Sequence, residues 1–364
     1  MTPAEQGGAM QGRGITFARF LGEERRRTGG DAEPFALLGE VARGVKEIAA
    51  AVSRGPVEGG PGRAGGPAGE GERRRSLAAV AGEIAARCCE WGGHLSGLAA
   101  EEMEGAREAP APRPQGQYLL VFDPLDGSSN VDVNVTAGTV FSVLRRPERT
   151  DRTGAASFLQ PGSRQACAGY ALYGPTTMLV LATSGGVNGF TLDREQGEFV
   201  LSHPGLRVPE EAREFAINAS NERFWELPVR RYVDECRAGR TGPRGADFGM
   251  RWVGSMVADV HRILVRGGIF LCPRDTRNPD RPGKMRLLHE VAPMAFVVES
   301  AGGAASTGRE RILDLRPTSL DERVPAVLGS RAEVERVERY HLEHDQGAMQ
   351  AYRSPFFEGH ALFR

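Results

Sequence analysis

Residues 118–130 read Tyr118-Leu119-Leu120-Val121-Phe122-Asp123-Pro124-Leu125-Asp126-Gly127-Ser128-Ser129-Asn130. The five apolar residues Tyr118–Phe122 predict a short buried strand that ends in the turn Asp-Pro-Leu-Asp-Gly. That turn places two carboxylates at the mouth of the strand. Pro124 stiffens it, and Gly127 permits a backbone angle closed to other residues. The Gly127-Ser128-Ser129 run exposes backbone N–H groups, which suit a phosphate, above all if they open a helix. Carboxylates and a phosphate repel one another. A hard divalent cation such as Mg2+ resolves the conflict, because it takes oxygen ligands from both. Alone, Asp-Pro-x-Asp-Gly is also an ordinary surface turn; the strand before it and the Ser-Ser-Asn after it favour chemistry. Glu101-Glu102 lies just upstream. By itself such a pair is a solvated face, but beside the aspartates it offers further metal ligands.

Outward from this motif, strands are predicted at Thr139–Leu144, Ala166–Leu172 and Met178–Thr183, then a hairpin from Gly189. Upstream, helical spacing of apolar residues predicts helices over Ile15–Arg27, Pro34–Ser53 and Arg73–Glu90. The second and third are separated by residues 55–72, a Gly/Pro-rich stretch expected to be a mobile loop. Residues 1–14 read as a flexible N-terminus. Downstream, strands are expected at Ala216–Asn218 and Gly268–Leu271, and helices at Val257–Arg266 and Arg286–Ala301, the latter stopped by Gly302-Gly303. A turn and strand follow over Asp314–Leu328, then a last helix at Ala332–His341 and a C-terminal arm, 342–364. Interleaved strands and helices without an internal repeat predict a layered α/β (α+β) fold.

Of 46 basic residues in the 364, only Lys46 and Lys284 are lysine; the other 44 are arginine. Helical spacing puts Lys46 on the exposed side of its helix, where it reads as a surface leftover without a role. Acidic residues number 47, so the net charge is -1, which argues against nucleic-acid binding. No apolar run approaches the roughly 18 residues of a membrane span. Cys88, Cys89, Cys167, Cys236 and Cys272 form no CxxC pair, which fits a reducing compartment and excludes a disulfide scaffold. Cys88 and Cys89 read as core fillers. The first residues lack a secretory signal, so a cytoplasmic location is expected. Glu290 stands out inside an apolar helical pattern, where a carboxylate is costly unless a cation pairs with it.

The sequence resembles class I fructose-1,6-bisphosphatases, of the lithium-sensitive, metal-dependent phosphatase superfamily. The likeness rests on FDPLDGSSN (122–130), FLQPG (158–162), GYALYGPTT (169–177), RWVGSMVADVHRILVRGGIFL (251–271), RLLHEVAPMAFVVESAGGAASTG (286–308) and PAVLGS (325–330). NASNERFWELPVRRY (218–232) is similar to the bacterial enzymes linked to carbon fixation. The resemblance implies an αβαβα sandwich of two similar-sized halves, 15–205 with the metal site and 206–341 with the sugar-phosphate site. It implies Mg2+-dependent hydrolysis of the 1-phosphate of fructose 1,6-bisphosphate, in gluconeogenesis or the Calvin cycle, with sedoheptulose 1,7-bisphosphate as an alternative substrate. Two or three Mg2+ ions, or Mn2+, would be held by Glu101, Asp123, Asp126, Glu290 and the Leu125 carbonyl. Glu102 would help activate water. Gly127, Ser128 and Ser129 would cradle the leaving phosphate. Asn221, Met256 and Lys284 would line the sugar bisphosphate, and Arg251 would reach the other phosphate from a neighbouring subunit of a homotetramer. The residues alone leave Lys284 and Arg286 open as surface cations and Met256 as a core residue. No ligand role is indicated for His261 or His289.

Departures from the family pattern are informative. An expected aspartate upstream of the acidic pair is Ala78, so a weakened homologue with a binding or regulatory role is the competing reading. Glu70 or Glu72 could substitute. Expected tyrosines read Phe224, Trp252 and Cys272, each without a phenol donor. Gln117 and Pro34 depart from the nucleotide-inhibitor site, which implies weak or absent AMP inhibition.

Overall fold

The computed structural model describes residues 14–28, 34–55, 76–101, 103–109, 116–147, 153–277 and 283–348. Expectations for residues 1–13, for Glu70, Glu72 and nearly all of the 55–72 loop, for Arg73–Arg75, for Glu102 and for 349–364 lie outside them.

Three helices come first: α1 (Phe17–Arg27), α2 (Phe35–Arg54) and α3 (Leu77–Cys89). Thr16 and Ser76 cap α1 and α3 by accepting from Arg19 and Ala79 N–H groups. Their apolar stripes cover one face of an eight-stranded sheet. Its strands are β1 (Leu95–Ala100), β2 (Ala106–Glu108), β3 (Tyr118–Asp126), β4 (Ala137–Arg145), β5 (Gln165–Tyr173), β6 (Thr177–Thr183), β7 (Gly186–Asp193) and β8 (Glu198–His203). Their order is β2-β1-β3-β4-β5-β6-β7-β8, with only β1 and β3 parallel. Two four-residue helices interrupt the run, α4 (Ser128–Val131) and α5 (Ala155–Phe158).

The rest of the chain builds β9 (Glu214–Ile217), α6 (Leu227–Ala238), β10 (Gly249–Met250), α7 (Met256–Arg266), β11 (Ile269–Cys272), β12 (Met285–Arg286), α8 (Ala292–Ser300), β13 (Ala304–Ser306), β14 (Arg323–Val324), β15 (Ala326–Gly329) and α9 (Arg331–Asp345). A five-stranded sheet runs β10-β9-β11-β15-β13, and β12 pairs with β14 as a separate ribbon. Alternate residues of the central strands face opposite ways, so each sheet has two apolar faces to cover. Phe141 and Val143 pack under α1–α3, whereas Val140, Tyr170 and Val180 meet α7 and α8 between the sheets. Ile217, Leu271 and Val327 pack under α6 and α9. The result is the five-layer αβαβα stack that the resemblance implied.

Several boundaries differ from the sequence reading. Strand β3 does not stop at Phe122; it runs to Asp126 through a bulge, because Asp123 pairs with Val140 while Asp126 pairs with Gly138. Strand β1 and helix α6 were not anticipated. The helix expected over Arg286–Ala301 is split. Arg286 belongs to β12, and Leu287–Val291 forms a π turn in which the Ala292 N–H donates to the Leu287 carbonyl. Pro293 explains this, since its ring would clash with the His289 carbonyl of an uninterrupted α-helix. The last helix extends to Asp345, so the arm expected from 342 begins as helix. All five cysteines are free, and Cys88 and Cys89 are buried as expected. Lys46 is not a surface leftover: it is half-buried, and its Nζ lies 2.8 Å from Glu198 Oε1, tying α2 to β8.

Candidate active site

The parallel pairing of β1 and β3 builds the first part of the site. Ala100 lies opposite Phe122, so the next residues, Glu101 and Asp123, emerge side by side at the strand ends. The Glu101 N–H donates to the Phe122 carbonyl at 3.1 Å and holds this corner. The π turn brings Glu290 to the same place. Carboxylate oxygens of Glu101, Asp123 and Glu290 lie within 4.8 Å of one another. Burial drives the Glu290 carboxyl up to about 7, and the Asp126 charge pushes the same way; the Arg286 N–H and the Arg286 and Arg323 charges only partly offset this. Three carboxylates converging in a buried corner form a hard oxygen donor set, which fits a divalent cation. The Arg286 guanidinium pairs with Glu101 at the edge of the cluster.

The turn itself is braced from two sides. Asp123 Oδ1 accepts from the Leu125 N–H at 3.1 Å. Thr139 Oγ1 donates to the Pro124 carbonyl at 2.8 Å and meets the Tyr173 hydroxyl at 2.7 Å. Gly127 has φ +73, and a Cβ there would sit 2.7 Å from Ser255 Cβ, so only glycine fits. It caps α4, whose first turn leaves the Ser128 and Ser129 N–H groups outside the helical hydrogen bonding.

Asp126 points elsewhere than the cluster of three. Its Oδ2 accepts from Ser255 Oγ and, at 2.9 Å, from the Val257 N–H. It therefore sits at the N-terminus of α7, where the helix dipole favours an anion. Burial raises its pKa, and the hydrogen bonds from Ser255, Val257 and Met256 pull it down. Asp259, one turn into α7, accepts from the Val253 and Gly254 N–H groups at 2.9 and 3.2 Å. Burial pushes it up to about 6.

Asn221 and Lys284 line a cavity of about 240 Å³ with Trp225, Trp252, Leu271 and Cys272. Trp252 stacks on Phe270 at 6.1 Å between ring centroids. Lys284 is exposed to the cavity side. Met256 does not line it: its side chain is buried between the sheets, and its N–H reaches Asp126. Arg251 is exposed, 4.0 Å from Glu214. Three arginines of the cavity, Arg274, Arg277 and Arg323, carried no signal in the sequence; Arg277 pairs with Asp275. Ala78 is buried in the apolar cluster under α1–α3. His261 is half-buried, its Nδ1 2.8 Å from the Tyr170 hydroxyl, and desolvation draws its pKa down to about 4. His289 is also buried and stands outside the carboxylate cluster. Among the described residues no helix is long and apolar enough to cross a membrane.

Fold and site together describe a layered α/β phosphatase. The family model "Fructose-1-6-bisphosphatase, N-terminal domain" matches residues 15–204, and "Fructose-1-6-bisphosphatase, C-terminal domain" matches 208–342. The chain belongs to the fructose-1,6-bisphosphatase family. Among solved structures, it is similar to Leishmania major fructose-1,6-bisphosphatase in holo form, with 34% identity and a TM-score of 0.81, covering 90% of this chain and 99% of that one. The apo form of the same Leishmania enzyme gives 32% identity and a TM-score of 0.79, with the same coverage.

Proposed function

We propose that this chain hydrolyses the 1-phosphate of fructose 1,6-bisphosphate to fructose 6-phosphate and phosphate. The observation that carries the reading is the convergence of Glu101, Asp123 and Glu290 beside a cavity lined by Lys284, in a member of this family. Glu101, Asp123, Asp126, Glu290 and the Leu125 carbonyl would hold two or three Mg2+ ions, with Mn2+ as a substitute. When bound, the cations neutralise phosphate charge and lower the pKa of an attacking water. The protein's own part is positional. Gly127, Ser128 and Ser129 offer backbone donors to the phosphate that leaves, and Glu102 helps orient the water. Asn221 and Lys284 hold the sugar end, while Met256, expected there from the resemblance, is buried between the sheets and gives only its N–H to Asp126. We place metal binding in residues 15–205 and sugar-phosphate binding in 206–341, with the site between them.

Arg251 and the exposed Met250, Trp252, Val133 and Val135 lie on neighbouring segments joined by Asn130 Nδ2, which donates to the Val253 carbonyl at 3.1 Å. Such a face supports assembly with further copies, a homotetramer in which Arg251 reaches the neighbouring site.

Phosphate release from fructose 1,6-bisphosphate and sedoheptulose 1,7-bisphosphate with Mg2+ tests the activity. Folded protein that releases none from either overturns it. Glu290→Gln is expected to lower kcat by about 100-fold or more and to weaken Mg2+ activation. A second reading, a weakened homologue, is favoured by Ala78. Asp at this buried, apolar position would cost about 1–3 kcal/mol of stability. We expect Ala78→Asp to change kcat by less than about tenfold. A rise of several orders of magnitude would favour the weakened homologue.

A further inference from the structure

We propose that Arg323 binds substrate directly, contacting the phosphate of the sugar bisphosphate that is not hydrolysed. The inference rests on the reading above and adds a residue that the sequence motifs did not single out. Its basis is the cavity's chemistry. The lining contains no Ser, Thr or Tyr hydroxyl, and its walls include Trp225, Trp252 and Leu271. An anion there must be met by the Asn218 and Asn221 side chains and by cations, of which Arg274 is already engaged. Arg277 already pairs with Asp275. Arg323 is different. Its Nη1 donates to the Lys284 carbonyl, and among the described residues no carboxylate lies within ion-pair distance of it. A guanidinium carries five N–H donors, so most remain for a ligand. Lys284 lines the same cavity and likewise has no ion-pair partner among the described residues. Both cations line the cavity, so an anion bound there can be met by each of them.

The backbone explains why the guanidinium is there. In the ribbon, Arg286 lies opposite Arg323 and Met285 opposite Val324. Gly283 lets the two strands close: a Cβ there would fall 1.9 Å from the Val324 carbonyl carbon. One ribbon thus carries Arg286, which turns to Glu101 at the carboxylate end, and Arg323, which turns to the cavity. The two ends of a sugar bisphosphate would each meet an arginine of the same ribbon.

Three variants test this. Arg323→Met removes both charge and hydrogen bond. Arg323→Gln keeps an amide donor for the Lys284 carbonyl but loses the charge. Arg323→Lys keeps the charge. We expect Met and Gln to raise KM for fructose 1,6-bisphosphate by about tenfold or more with kcat within about threefold, and Lys to recover most of that loss. Calorimetric binding of fructose 6-phosphate, which carries only the non-hydrolysed phosphate, should weaken in parallel. A Gln variant with wild-type KM and binding would reduce Arg323 to a brace for Lys284 and overturn the proposal. So would a Lys variant as poor as Met. If the wild type binds fructose 6-phosphate but hydrolyses no bisphosphate, the activity reading fails while the binding comparison still decides the role of Arg323.

Discussion

Lys46 and Lys284 survive in a chain that uses arginine almost everywhere else, and the fold gives them unlike surroundings. Lys46 bonds Glu198 from a position 152 residues away. No local pattern could show that partner, which is why spacing alone put Lys46 on an exposed helix face. Lys284 lines the cavity. A compact ammonium and a planar fork do not fill the same space around a phosphate or sugar oxygen. Lys284→Arg should therefore lower kcat/KM by about tenfold, against less than about twofold for a surface change such as Arg194→Lys, at an exposed position of the β7–β8 turn. Equal, negligible effects in steady-state kinetics would remove Lys284 from the site. Glu290 was legible because a carboxylate between His289 and Val291 in an apolar stretch demands a partner. Arg323 was not, because a lone arginine after Asp321-Glu322 looks like surface; only the ribbon pairing turns it inward.

At the scale of elements, the acidic turn was legible and its frame was not. The run Tyr118–Phe122 announces a strand by its apolar continuity. That the strand continues through Asp123-Pro124-Leu125-Asp126 depends on pairing with β4, which no local signal carries. Strand β1, Leu-Ser-Gly-Leu-Ala-Ala, has little intrinsic strand preference; burial on both sides and pairing with β3 decide it. Yet β1 is what brings Glu101 beside Asp123. Helix α6 did carry a signal, since Val229, Tyr232, Val233 and Cys236 repeat at helical spacing and are all buried. Gly127 is the element-level test of the turn. A side chain there meets Ser255 and must also adopt φ +73. Gly127→Ala should cost about 2 kcal/mol or more in denaturant unfolding and detach the acidic turn from α7, so activity should fall with it. A variant of unchanged stability would show that the turn relaxes freely.

Across the whole molecule, long-range ion pairs join elements distant in sequence. Glu226, at the start of α6, meets Arg309 at 3.2 Å and His341 of α9 at 3.7 Å. Burial pulls its carboxyl upward, but hydrogen bonds from His341 and Arg309 outweigh that and hold it at about 2, against an ordinary 4.5. A depressed folded pKa stabilises above the unfolded value, and the gain fades as pH falls toward 2. Because the group is only half-buried, solvent screening leaves about 1 kcal/mol of this. The stability difference between wild type and Glu226→Gln in urea should thus be about 1 kcal/mol at pH 7 and shrink toward zero near pH 2. A difference constant with pH would contradict the assignment.

The contact between Gly127 and Ser255 has a consequence for how such a chain can change over time. The turn that presents Asp123 belongs to one half, the helix that holds Asp126 belongs to the other, and Glu290 completes a cluster begun by Glu101 across the same divide. Neither half owns the site. Recombination that exchanged one half for that of a distant relative would have to preserve a glycine facing a serine and three carboxylates meeting within a few ångströms. The two halves are therefore bound to be inherited together, and drift in one constrains the other at these few points.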